Sequence, residues 1–108
     1  MEEEKLFVYG SLCPGAPNEH ILAEIGGGWQ QGYILATLVE EGWGAQLGYP
    51  GIRLSDSGEK IDGFIFKSGN LKNHWKKLDE FEGEEYTRIK ADVHIEHGVE
   101  EAWIYALK

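Results

Sequence analysis

Residues 78–88 have the sequence LDEFEGEEYTR and contain the end of the clearest helical pattern in the chain and the start of its clearest strand. Upstream, one helical face is formed by residues spaced at i, i+4 and i+7, namely Leu71, Trp75 and Leu78. The spacing predicts a helix from position 71 to about position 81. Asn70 is placed to cap its beginning, and Gly83 to end it in a left-handed conformation.

Glu82 occupies the next position of this helical face, four residues after Leu78, where the pattern requires an apolar residue. A carboxylate that faces an apolar interior is costly when ionised, so its pKa should be raised. A raised carboxyl pKa is the usual property of a general base that works near neutral pH. The alternative is that the helix frays and Glu82 points into water. The neighbouring carboxylates are predicted to face solvent: Asp79, Glu80, Glu84 and Glu85.

Segments with strand character dominate the rest of the chain and do not alternate regularly with helices. The strongest is 87–95, in which apolar and polar residues alternate. The other extended segments are 6–9, 29–39, 43–54, 61–66 and 102–107, and 18–25 is predicted as a short helix. We therefore expect one α+β domain over residues 1–108, with about six strands curled into an open barrel and one or two helices.

Two glycine-containing segments refine this prediction. Ser55 to Gly58 is predicted as a hairpin turn, and Gly63 inside a strand pattern suggests a bulge or a close approach by another segment.

Composition excludes several classes of function. The net charge of −9 comes without a Lys/Arg cluster, which argues against nucleic acids and anionic membrane surfaces. One cysteine excludes an internal disulfide framework. No apolar run reaches membrane-spanning length, and the first residues are acidic where a targeting signal would be basic. We expect a soluble cytoplasmic protein, and the oligomeric state stays open.

The first strand runs directly into the turn Tyr9-Gly10-Ser11-Leu12. Backbone N–H groups that point the same way in such a turn can bind a carboxylate or a phosphate. No Gly-Lys-Ser/Thr follows, so a nucleotide-binding P-loop is excluded. A tight structural turn without a ligand is the alternative.

The turn at 9–12 and the stretch at 78–88 occur with Gly48-Tyr49-Pro50-Gly51 and with the segment IDGFIF at 61–66. In order and spacing these motifs resemble the γ-glutamylcyclotransferase-like (AIG2-like) family over nearly the whole chain. The resemblance implies a small mixed β-barrel. It also implies that the 9–12 turn holds the α-carboxylate of a γ-glutamyl group and that Glu82 is the catalytic acid/base. The family places a pocket tyrosine in the closing strand, which corresponds to Tyr105.

The implied reaction is a cyclisation of the acyltransferase or lyase type that releases 5-oxoproline. The α-amine of the substrate attacks its own γ-carbonyl, so the protein needs neither its own nucleophile nor a metal or redox cofactor. Well-oriented intramolecular reactions gain up to about 7–11 kcal/mol from proximity. Some family members lack the glutamate, so a non-catalytic binding module is the alternative, and an interaction domain with a vestigial pocket is a third. The residues around 26–29 and 43–50 would face the released amine.

Other residues offer weaker hypotheses. Arg53 and Arg88 could offset the repulsion between an acidic protein and an anionic substrate, or could be surface charges. Cys13 could be a nucleophile, although no partner residue can be assigned to it. His94 and His97 would face opposite ways on a strand, which argues against a metal pair. Tyr9 lines the pocket or fills the core, and the tryptophans are expected to be packing residues.

Overall fold

The structure is a computed structural model, and it describes residues 4–10, 12–39, 51–54 and 58–107. Within these residues the strands are β1 (Glu4–Val8), β2 (Gly28–Val39), β3 (Gly51–Leu54), β4 (Glu59–Ser68), β5 (Tyr86–Ile95) and β6 (Gly98–Leu107). The helices are α1 (Glu19–Ile25) and α2 (Trp75–Glu82), with a 3-10 turn at Leu71–Asn73 before α2. None of the described helices is long and apolar enough to cross a bilayer.

The strands form one sheet in the order β3-β2-β4-β1-β6-β5. A further bridge between Tyr33 of β2 and His94 of β5 closes five of the strands into a barrel, so the sheet is closed rather than open. Strand β3 lies outside the barrel on the edge of β2. Because β1 and β6 are parallel and the other neighbours are antiparallel, the sheet is mixed. The predicted α+β fold with six strands and a mixed β-barrel is confirmed, with five strands in the barrel and β3 outside it.

The predicted hairpin between β3 and β4 is wrong. Both strands pair with β2, and Ala36 lies opposite Leu54 on one side and Glu59 on the other. Strand β2 has 12 residues, of which Gly28 to Ala36 pair with β4 and Ala36 to Val39 pair with β3. Residues 55–57 lie outside the described part of the chain.

Strand β1 lies in the middle of the sheet between β4 and β6. Three consecutive residues, Leu6, Phe7 and Val8, are buried, which confirms the prediction of a strand covered on both faces. Gly63 of β4 lies close to β1, because a Cβ added there would be 2.2 Å from the Val8 carbonyl oxygen and 2.6 Å from the Phe7 ring. The close approach predicted at this glycine is therefore confirmed.

The core has two parts because successive residues of a strand face opposite sides of the sheet. One cluster fills the barrel and includes Phe7, Ile34, Ile65, Val93 and Ile104. The other joins the opposite face of the sheet to the helices and includes Leu6, Leu22, Phe66, Leu71, Leu78 and Tyr105. Helix α2 therefore packs on the outside of the barrel.

Helix α2 begins later than predicted and ends as predicted. Its first residue is Trp75, and Asn70 makes no side-chain cap. The Asn70 side-chain amide instead donates to the carbonyl of Ile25 at the end of α1. At the other end, Gly83 has a φ of +90° and its N–H donates to the Asp79 carbonyl, which terminates the helix at Glu82.

Candidate functional site

Glu82 is the last residue of α2 and is half-buried beside the end of the barrel. Burial raises the pKa of its carboxyl from 4.5 to about 7. The helical face therefore continues to Glu82, and the alternative of a frayed, solvated glutamate is not observed. Near neutral pH the carboxyl group changes its protonation state easily, which is the electrostatic property required of a general acid/base.

Three tyrosine side chains, each from a different strand or strand end, lie within range of the Glu82 charge. For Tyr9 and Tyr86, burial and then the Glu82 charge are the largest causes of a raised pKa. For Tyr105, burial comes first, followed by Asp79, with a smaller contribution from Glu82. All three phenols therefore stay protonated at neutral pH, and the hydroxyls of Tyr9 and Tyr105 donate to the Tyr105 carbonyl and to Asp79. Tyr86 was not singled out by the sequence analysis.

The turn after β1 lies next to these tyrosines. The Tyr9 hydroxyl donates to the backbone carbonyl of Tyr105 at 2.7 Å. The turn itself is closed by a hydrogen bond from the Cys13 N–H to the Gly10 carbonyl at 3.1 Å, and Leu12 is buried. Tyr9 and Tyr105 are thus brought to the same place as Glu82. Ser11 and the predicted Gly48-Tyr49-Pro50 segment lie outside the described residues.

The prediction that Asp79 is only a solvent-facing charge is wrong. Its side chain is 46% exposed, yet its carboxylate accepts a 2.7 Å hydrogen bond from the Tyr105 hydroxyl. It also accepts two hydrogen bonds from Arg88, from Nε at 3.0 Å and from Nη2 at 3.3 Å. Desolvation acts to raise the pKa of Asp79, but the hydrogen bonds from Arg88 and Tyr105 outweigh it and lower the pKa. The signal available in the sequence was the i, i+3 spacing to Glu82, which places both carboxylates on one side of the helix.

A groove of about 620 Å³ opens beside this network. Its lining residues come from the end of α2 and from β5 and β6: Asp79, Glu80, Gly83, Glu84, Tyr86, Thr87, Arg88 and Tyr105. Arg88 is the cation of this groove, and it is already hydrogen-bonded to Asp79. An anionic ligand there would have to compete with the Asp79 carboxylate, so the prediction of Arg88 as a substrate-binding cation loses support.

Sequence comparison identifies the family. The profile described as "Gamma-glutamyl cyclotransferase, AIG2-like" matches residues 6–108. The chain belongs to the AIG2-like γ-glutamyl cyclotransferase family. This confirms the resemblance carried by the 9–12 and 78–88 motifs. A comparison with curated protein sequences gives no significant match.

Solved structures share the AIG2-like fold. An AIG2-like protein from Mus musculus superposes with a TM-score of 0.76 at 22% identity, covering 98% of this chain and 78% of that protein. YkqA from Bacillus subtilis gives a TM-score of 0.74 at 27% identity, with coverage of 98% and 36%. An Arabidopsis thaliana protein gives 0.74 at 20% identity, with coverage of 99% and 63%. The chain thus spans less than two thirds of the latter two structures.

The remaining candidates are not among the residues that line the groove beside Asp79. Arg53 is exposed on β3. Burial raises the pKa of Cys13 to about 11, which disfavours the thiolate that a nucleophile requires. His94 stacks on Tyr33 with ring centroids 4.8 Å apart, whereas His97 is exposed. Among the described residues, no group of three potential metal ligands comes together.

Proposed function

We propose that this protein is a γ-glutamyl cyclotransferase that acts on a γ-glutamyl amine or γ-glutamyl amino acid and releases 5-oxoproline. The observation that carries the proposal is the half-buried Glu82 carboxyl, whose pKa of about 7 suits a group that both accepts and returns a proton. Membership of the AIG2-like family supports the reaction class.

The reaction needs two protons to move, one after the other, from the α-ammonium nitrogen of the substrate to the nitrogen that departs. In the ionised form, Glu82 removes a proton from the α-ammonium group and leaves a free amine. The α-nitrogen then bonds to the γ-carbonyl carbon, which closes the five-membered lactam. As the bond between that carbon and the amide nitrogen breaks, Glu82 returns its proton to the departing nitrogen. The carboxylate then takes the second proton from the ring nitrogen, which gives the neutral lactam, and passes it to the released amine, which departs as an ammonium group. The carboxylate is regenerated, and no other co-reactant is consumed.

The chain must also hold the substrate in a curled conformation. We infer that the Tyr9–Leu12 turn supplies backbone N–H groups for the α-carboxylate. Tyr105 borders the groove, which lies next to the last turn of α2 that carries Glu82, and we expect the Tyr105 side chain to contact the bound substrate. Backbone donors suit this role because the net charge of −9 repels an anionic substrate at long range.

The test is 5-oxoproline release from a panel of γ-glutamyl compounds by the wild type and by Glu82→Gln. The panel contains γ-glutamyl amino acids, γ-glutamyl-lysine, glutathione and a γ-glutamyl monoamine. The substitution keeps the shape of the side chain and removes its basicity. We expect a loss of at least about a hundredfold in kcat, in line with the usual contribution of a general base.

The matched control is Glu24→Gln, which makes the same change at an exposed glutamate on α1 and should retain wild-type activity. Equal turnover by the wild type and Glu82→Gln would remove Glu82 from the mechanism. If no compound gives 5-oxoproline, but 5-oxoproline itself binds the wild type in a calorimetric titration, the protein is a binding module rather than an enzyme.

A further inference from the structure

The Asp79 carboxylate connects α2 to two strands at once. Its Oδ1 accepts from the Tyr105 hydroxyl of β6 at 2.7 Å and from Arg88 Nε of β5 at 3.0 Å. Its Oδ2 accepts from Arg88 Nη2 at 3.3 Å. A forked contact between a guanidinium and a carboxylate fixes orientation as well as distance. This geometry therefore restricts rotation and sliding of the helix against the β5–β6 hairpin.

Arg88 is itself held in place by aromatic rings. Its guanidinium carbon lies 4.4 Å from the centroid of the Trp75 ring and 4.8 Å from that of Trp103. Trp75 begins α2, Asp79 lies in its last turns, and Trp103 belongs to β6. Arg88 thus contacts the helix at its first residue through a cation–π contact and at its fifth residue through charged hydrogen bonds.

Glu82 depends on these contacts for its position. Helix α2 has eight residues and no side-chain N-cap, and a helix this short is not stable by itself in water. The Asp79 backbone carbonyl accepts the Gly83 N–H at 3.0 Å, so Asp79 also begins the last hydrogen-bonded turn, which contains Glu82. Leu78 is the one fully buried residue of α2, and Trp75 and Phe81 pack partly buried against the same core cluster. The polar contacts of Asp79 add a directional constraint to this apolar packing.

We propose that Asp79, bound by Arg88 and Tyr105, is a positioning residue that holds Glu82 in its half-buried place beside Tyr9. The importance of this position for catalysis rests on the proposed function. The position of Glu82 itself can be tested without measuring turnover. The link to Tyr9 is direct, because Tyr105 donates to Asp79 through its hydroxyl and accepts from the Tyr9 hydroxyl through its carbonyl.

Titration of Glu82 distinguishes positioning from a simple charge effect. The titratable groups that act on or near Glu82 are Tyr9 after β1, Tyr86 on β5, Tyr105 on β6, and Asp79 with Arg88. Loss of the Arg88 charge by itself would raise the Glu82 pKa, because a cation stabilises a carboxylate. Loss of positioning would lower it, because the released end of the helix would let water reach the carboxyl. The two explanations thus predict opposite signs.

The experiment is an NMR titration of the Glu82 carboxyl carbon in the full chain, in the wild type and in Arg88→Gln. We expect the midpoint to fall by at least about half a pH unit in the variant, a direction opposite to the charge effect. A midpoint that rises or stays constant would overturn the proposal. Asp92→Asn, at an exposed aspartate of β5, is the control and should leave the midpoint unchanged.

A second variant covers the case in which Arg88→Gln does not fold. Arg88→Lys keeps the positive charge but cannot reproduce the forked contact. A lowered Glu82 midpoint in this variant supports positioning, and an unchanged midpoint overturns it. If the enzyme is active, both variants should lower kcat by about tenfold or more while KM stays within about threefold, as for loss of a transition-state interaction. Absence of activity in the wild type would contradict the proposed function and leave the titration result intact.

Discussion

The Tyr9 hydroxyl donates a 2.7 Å hydrogen bond to the backbone carbonyl of Tyr105, 96 residues later in the chain. The strands that carry these residues, β1 and β6, are parallel neighbours whose pairing covers Leu6 with Trp103 and Phe7 with Ile104. The hydrogen bond from Tyr9 to Tyr105 therefore continues the contact between β1 and β6 beyond their last paired residues. It lies where β1 leads into the candidate binding turn at residues 9–12. The candidate site is built on the junction of two central strands.

The substitution Tyr9→Phe removes the hydroxyl that donates this hydrogen bond and leaves the Tyr105 carbonyl without that donor. We expect the free energy of unfolding to fall by about 1–2 kcal/mol, the usual cost of a lost hydrogen bond at a buried acceptor. Urea denaturation measures this difference. Tyr33→Phe removes a hydroxyl for which no hydrogen bond is observed among the described residues, and it should change stability by less than about 0.5 kcal/mol. Equal losses in the two variants would contradict the assignment.

Glu82 should make stability depend on pH. Its pKa of about 7 in the folded protein exceeds the ordinary glutamate value of 4.5, so the folded state binds more protons than the unfolded state between these pH values. Stability should therefore fall as pH rises from about 4.5 to 7, by about 3 kcal/mol from this group. Glu82→Gln removes this contribution.

The measurement is urea denaturation of the wild type and Glu82→Gln at pH 5 and pH 8. The stability of the variant relative to wild type should increase at the higher pH. If the difference between the two proteins is the same at both pH values, Glu82 does not titrate in this range.

The rate of 5-oxoproline release should depend on the ionisation of Glu82. Because the ionised carboxylate accepts the first proton, kcat/KM should rise with pH and level off above about 7, the Glu82 pKa. Well below that value it should fall about tenfold per pH unit. At higher pH, loss of the substrate ammonium proton should give a descending limb. A flat profile between pH 5 and 7 would exclude Glu82 as the base.

Gly63 should tolerate no side chain. The Cβ of an alanine there would meet the Val8 carbonyl oxygen at 2.2 Å and the Phe7 ring at 2.6 Å, so β1 and β4 would have to separate. We expect Gly63→Ala to destabilise the protein by about 1–3 kcal/mol or more, the cost of overpacking. Gly69→Ala is the matched control, because nothing lies within 4 Å of its added Cβ. Thermal or urea unfolding of both variants tests this, and equal stabilities would contradict the close approach.

Local patterns predicted those parts of the fold that depend only on neighbours in sequence. The alternation over 87–95 predicted β5, and the apolar run at 6–9 predicted the buried β1. Periodicity over 71–78 placed Glu82 on the packed face, and Gly83 ended the helix at the predicted position. These succeeded because strand and helix periods determine which side chains share a face.

Partners far apart in the chain were not predictable in the same way. The side-chain amide of Asn70 donates to the Ile25 carbonyl, 45 residues away, instead of capping α2. The Tyr105 hydroxyl donates to the Asp79 carboxylate, which is 26 residues away in the sequence. Neither hydrogen bond can be predicted from sequence periodicity, because both depend on how the barrel brings β6 and α1 against the segment that contains α2. The pairing of β3 with β2 has the same origin, because adjacent segments with strand character do not by themselves specify which edge each will use.

The sequence by itself determined the segments of secondary structure, the family, and the single carboxylate placed on an apolar helical face. The tertiary structure decided that the barrel closes and that the Glu82 charge acts on three tyrosines from different strands or strand ends. It also decided that Asp79 is bound by Arg88 and Tyr105 rather than left to solvent. The physical reason is that amphipathic periodicity is encoded within one element. A hydrogen-bonded network is fixed only when several elements, each marginal by itself, are packed into one arrangement.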